Sequence, residues 1–272
     1  TLSFATAFLA LMPVSQAQVF RFEGSTFTKT DTYSTPTWDA ITFQETFVDP
    51  VVFLLPSTNG NNPADFRMRN LTGTGFETTV AEPFGEDGPH IAMNVAYVAV
   101  EKGVWTLPGN VQLAAGSVDI TSLVSSAGGT PTTVSIPGTF TNPVVFAQVQ
   151  TSDNEMAMLP SQPSDPWLSV TVSNVTANSF DLALEGSECT SVPPAMNERV
   201  GWMVLEGNQL GSFTDSDNKA ISFETVQTSA SITGWDDGGV VVPFSGSYST
   251  APLIVAQQQT RTEADGGWLR YN

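Results

Sequence analysis

Thr46-Phe-Val-Asp-Pro-Val-Val-Phe53 returns as Thr139-Phe-Thr-Asn-Pro-Val-Val-Phe146 and, more loosely, as Ser247-Tyr-Ser-Thr-Ala-Pro-Leu-Ile254. A segment that recurs at domain-sized spacing marks a tandem array, and such self-similarity takes precedence over local propensity. Around each copy apolar residues alternate with polar ones: Ile41, Phe43 and Phe47, then Val134, Ile136 and Phe140, then Val242, Phe244 and Tyr248. Period two in β-branched and aromatic residues is the signature of strands. Eight residues beyond Pro50, Pro143 and Pro252 stands a threonine in every copy, Thr58, Thr151 and Thr260.

The likeness extends downstream. Asn70-Leu-Thr-Gly-Thr-Gly-Phe76 and Asn174-Val-Thr-Ala-Asn-Ser-Phe180 each read as a turn leading into an alternating stretch, and Val95–Glu101 and Val200–Glu206 close the two units as strands. From Phe76 to Glu101 is 25 residues and from Phe180 to Glu206 is 26, so two independent anchors hold nearly one spacing. No segment sustains a helical period. The expected fold is all-β, a tandem series of antiparallel β-sandwiches, each burying one face of two sheets. Expected boundaries are 18–105 and 106–212 for two complete sandwiches and 213–272 for a third that stops partway, as in a fragment of a longer protein.

Residues 1–17 join a short apolar run to the small residues Ser15 and Ala17 ahead of Gln18, the pattern of a secretory signal peptide lacking its basic start. The run is too short for a stable membrane span. Export implies a secreted or cell-surface protein, and a chain with one cysteine, Cys189, must then fold without an internal disulfide. The single histidine, His90, lies in a turn-like Gly-Glu-Asp-Gly-Pro-His stretch, so a zinc site built from Cys and His or a triad through histidine finds no support. No enzyme is expected. Nine basic residues against 27 acidic give a net charge of −18, which repels phosphate backbones and excludes nucleic acid as a partner.

The ordered set of Phe47 with Pro50–Phe53, Asn70–Phe76 and Tyr97–Glu101, repeated as Phe140 with Pro143–Phe146, Asn174–Phe180 and Trp202–Glu206, resembles the H-type lectin domain. That resemblance implies a six-stranded antiparallel sandwich, assembly as a trimer, and binding of N-acetylgalactosamine-type sugars. It also suggests that three units in one chain form an intrachain pseudo-trimer. The family contacts sugar through an arginine and a histidine. Pro63 and Phe84 stand at the comparable places in the first unit, with Arg67 and His90 nearby, and the second unit carries Glu185 and Glu188 in the corresponding loop.

The loop after the second Pro-Val-Val-Phe is 11 residues longer than its counterpart, Pro143 to Phe180 being 37 residues against 26 from Pro50 to Phe76. Long loops at sandwich ends carry function more often than strands do. Here Trp167, beside Asp153, Glu155 and Asp165, offers an aromatic platform with carboxylates for a sugar, or else a tryptophan folded back onto the sandwich. Together with Arg67 and His90 these are the candidate carbohydrate-binding residues. No cofactor is required. Calcium is possible at the acidic clusters Glu82 with Glu86 and Asp87, Asp215 with Asp217, and Asp236 with Asp237, although each taken alone reads first as a solvated loop. Asn70 and Asn174 match glycosylation acceptors but suit structural turns. The expected function is glycan recognition or adhesion; the alternatives are a structural stalk of sandwich units, or targeting modules of a larger secreted enzyme.

Overall fold

The computed structural model describes residues 19–29, 36–88, 90–107, 109–125, 128–161, 163–187, 193–215, 217–232, 238–261 and 267–271. The expected leader 1–17, Cys189, Glu188 and the Asp236–Asp237 pair lie outside them. Among the described residues there is no helix, hence none long and apolar enough to cross a membrane. The chain is all-β.

The first unit has β1 (Phe22–Lys29), β2 (Asp39–Thr42), β3 (Pro50–Pro56), β4 (Asp65–Thr72), β5 (Gly75–Ala81) and β6 (Met93–Glu101). They form two antiparallel sheets, β1-β6-β3 and β2-β5-β4. Phe43, Val52, Leu54, Phe66, Met68, Phe76, Val95 and Tyr97 fill the space between them. The second unit opens with a hairpin, β7 (Gly103–Leu107) and β8 (Val111–Ile120), that straddles the seam expected at Trp105. It continues through β9 (Leu123–Val124), β10 (Thr132–Ser135), β11 (Pro143–Val149), β12 (Ser169–Ser173), β13 (Ser179–Glu185) and β14 (Glu198–Glu206). Its sheets are β11-β14-β8-β7 and β10-β13-β12, the latter joined by β9 in parallel, so this sandwich exceeds six strands and is not wholly antiparallel. A matching hairpin, β15 (Gln209–Thr214) and β16 (Ala220–Thr225), opens the third unit.

Repeated residues do repeated work. Asn70 and Asn174 both sit at φ 50°, and their side-chain amides donate to Glu77 and Asp181, as the turn reading expects. Asn tolerates this left-handed region because its short amide bonds locally. Glu101 accepts the backbone N–H groups of Val48 and Asp49, and Glu206 those of Thr141 and Asn142. Each closing strand thus pins the loop that leads into the Pro-Val-Val-Phe strand. A carboxylate accepting two N–H groups is a strong, charge-assisted clamp.

One expectation needs correction: in the β1-β6-β3 and β11-β14-β8-β7 sheets, strands β3, β6 and β14 bury both faces along nearly their whole length. Along β6, Val95, Tyr97 and Ala99 face the first sandwich core, while Val98 and Val100 face a further core. That further core joins Val51 and Phe53 of β3 to Leu113 of β8, Met203 and Leu205 of β14 and Phe213 of β15, so all three units contribute to it. Strands buried on both faces read as continuous apolar runs, which explains why every residue of β3 is buried.

Candidate functional site

The elongated loop between β11 and β12 lies against the first unit. Its Ser164 pairs with the segment after β5, donating its N–H to Glu82 O at 2.8 Å and accepting that of Phe84 at 2.9 Å. Ser152 Oγ donates to Met68 O at 2.8 Å. The extra residues therefore form a clamp between units.

Trp167 is 0% exposed, which corrects the open-platform expectation. Its indole N–H donates to Ala81 O at 2.9 Å, its ring meets Trp268 edge-on at 4.4 Å, and the Arg67 guanidinium lies 5.1 Å from its centroid. One side chain each from the first, second and third units thus closes around Ala81. A buried tryptophan needs an acceptor for its N–H, and a carbonyl of the neighbouring unit supplies it.

Arg67 and Glu155, 2% and 1% exposed, form an ion pair at 2.7 Å. Burial opposes the charge on Arg67, but Glu155 and then Asp65 outweigh it and hold the guanidinium above its ordinary range. Burial pushes the Glu155 carboxyl up, against the pull of Arg67 and of a hydrogen bond from Ser164 Oγ. Asp165 is buried as well. His90 is buried, its Nδ1 lies 3.1 Å from Ile91 O, and burial lowers its pKa. Of the six sugar-contact candidates only Asp153 is exposed. The structure does bring Arg67, Glu155, Asp165 and Trp167 together, yet as a sealed joint.

The Glu82 carboxylate accepts from Gly88 N–H at 3.1 Å and from Asn62 at 3.4 Å, and burial pushes its pKa up to about 7. Asp87 is instead exposed and takes an Asn62 N–H at 3.1 Å. Glu82, Glu86 and Asp87 do not converge as metal ligands; among the described residues that arrangement occurs at Glu45, Asp215 and Asp217.

A cleft of about 70 Å³ opens where Phe53, Phe146 and Val255, each three residues past its unit's proline, approach one another. That volume holds a few waters and falls far below the roughly 300 Å³ at which ligand pockets begin. Beside it lie side chains that the sequence reading passed over. Gln150 Oε1 accepts the N–H of Val52 at 2.9 Å and its Nε2 donates to Val52 O at 2.8 Å, while Gln148 accepts the N–H of Leu54. One unit further on, Gln259 accepts the N–H of Val145 and Gln257 that of Ala147. Counted from each proline the donors are two and four residues on and the acceptors five and seven, so one junction is built twice. The signal was the Gln-x-Gln shared by Gln148-Val-Gln150 and Gln257-Gln-Gln259.

No known sequence family and no solved structure matches the chain. It is similar to halomucin of Haloquadratum walsbyi, 25% identical over 237 residues, which amount to 83% of this chain and 2% of halomucin. The chain therefore spans only a small fraction of that relative's length.

Proposed function

We propose that this chain is a structural, adhesive segment of a secreted or cell-surface protein, in which H-type-lectin-like sandwiches close into an intrachain pseudo-trimer and carry no catalysis. The observation that carries the reading is the glutamine junction: Gln150 on Val52 recurs as Gln259 on Val145. Units joined by one repeated side-chain-to-backbone contact behave as a single body, as a spacing element requires. Packing of the third unit against both others supports a ring. Trp268 meets Trp167 of the second unit, and Arg270 donates to the carbonyls of Asn59, Asn62 and Ala64 in the first. The likeness to a protein named halomucin is in keeping with a surface or secreted setting.

Sugar recognition, the other reading of the same fold, rested on six side chains of which all but Asp153 are buried, Arg67, Glu155 and Trp167 of them in contacts between units. A glycan array on the whole chain, with and without calcium, tests the choice. No saturable binding is expected. A hit abolished by Asp153→Ala would restore the lectin reading.

A further inference from the structure

We propose that Glu45, Asp215 and Asp217 form a calcium site that ties the third unit to the first. Glu45 lies in the loop between β2 and β3, and Asp215 and Asp217 in the turn of the β15–β16 hairpin. These two segments are some 170 residues apart in sequence, yet one carboxylate oxygen from each of the three residues lies within 4.8 Å of the other two.

Proximity of acidic groups alone makes no site, but Asp215 is not an ordinary surface carboxylate. Asp215 is 5% exposed. Its Oδ1 accepts the N–H groups of Asp217 at 3.0 Å and Lys219 at 2.8 Å, which fixes the carboxylate within the turn. Its Oδ2 is buried and, among the described residues, has no hydrogen-bond partner. A buried carboxylate oxygen without a donor carries the full cost of desolvation. Here that oxygen belongs to a group whose neighbours are two more carboxylates, and a cation resolves both the missing partner and the repulsion.

Among the described residues the nearby cations pair with Asp217 and Glu45 rather than with Asp215. Arg21 Nε is 3.3 Å from Asp217 Oδ2 and Lys219 Nζ is 3.9 Å from Glu45 Oε1, both on the outer carboxylates.

The ligand set favours calcium. All donors are oxygens, they come from two separate loops, and Asp217 is half exposed, which leaves room for water to complete six to eight ligands. Magnesium demands a tighter octahedron and dehydrates reluctantly. Three carboxylates without an enclosing loop place the affinity with the weaker extracellular sites, Kd on the order of 0.1–1 mM.

The test uses the complete chain, stripped with a chelator and titrated calorimetrically with calcium chloride and, separately, magnesium chloride. The expected result is one calcium site in that range, with Tm rising by several degrees at 10 mM calcium. Glu45→Gln and Asp217→Asn, both in loops and each checked for folding by near-UV circular dichroism, should weaken binding at least tenfold. Asp87→Asn should leave it unchanged. Absence of binding to 10 mM, or equal affinity in the Glu45 and Asp217 variants, overturns the site. Equal affinity for magnesium overturns the choice of ion.

Discussion

The Gln150 carboxamide stands to Val52 as a strand residue stands to its partner, taking its N–H at 2.9 Å and giving a hydrogen to its C=O at 2.8 Å across a chain separation of 98 residues. A side chain here completes the edge of a sheet belonging to another unit. An edge strand exposes unpaired backbone groups and invites foreign pairing unless it is covered. The array covers β3 with its own next repeat.

Replacing Gln150 by Leu strands both backbone groups of Val52 in an apolar setting. Each buried unsatisfied group costs about 1–3 kcal/mol, so the loss should reach about 2–6 kcal/mol. Urea unfolding measures it through a lower midpoint. Gln112→Leu, on an exposed hydrogen bond to Thr106, should change the unfolding free energy by no more than about 0.5 kcal/mol. A Gln150 effect as small as that would remove the glutamine junction from the account.

Arg67→Met leaves Glu155 as an unpaired buried carboxylate between two units, which costs about 3–5 kcal/mol. Adding Glu155→Leu should restore most of the loss, since an apolar pair replaces an ion pair at little or no cost when the shape is kept. A double-mutant cycle in urea reads the coupling. Additive losses would mean that the two side chains act independently.

The strands and the repeat were legible because period-two alternation and the Pro-Val-Val-Phe anchor are local signals. The joints between units were not. Val51 and Phe53 look the same in sequence whether they face a sandwich core or a neighbouring unit. Gln150, a polar residue just past β11, reads as solvent-facing because burial of an amide against a distant backbone leaves no local trace. Trp167 was ambiguous for the converse reason: a tryptophan among carboxylates suits a sugar platform and a buried wedge alike, and only the position of Ala81 O and Arg67 decides. The calcium possibility was seen at Asp215 and Asp217, but Glu45 could join them only through the fold.

Glu82 makes stability depend on pH in a definite direction. Its carboxyl, ordinarily near 4.5, titrates at about 7 in the folded chain because of burial. Between those values the folded state holds more protons than the unfolded, so the contribution is fully present below 4.5 and is lost as pH rises through about 7. Tm measured from pH 4.5 to 8 should fall more steeply for the native chain than for Glu82→Gln. Parallel profiles would show that Glu82 titrates normally.

Acidic residues outnumber basic ones by 27 to 9, so the folded state works against its own charge. Raising sodium chloride from 0.01 M to 1 M shortens the screening length from about 30 Å to about 3 Å. Thermal scans should show Tm rising by several degrees over that range. A flat or falling Tm would mean that ion pairs such as Arg199–Asp119, 2.9 Å apart at the surface, outweigh the net repulsion.

Closure of the three units into one body is tested most directly by small-angle scattering on the monodisperse chain, with mass taken from the same measurement. A compact monomer of 272 residues should give a radius of gyration of about 18–19 Å. A monomer with a radius roughly half as large again, and a profile of separated beads, would contradict the intrachain ring and leave the units as a string.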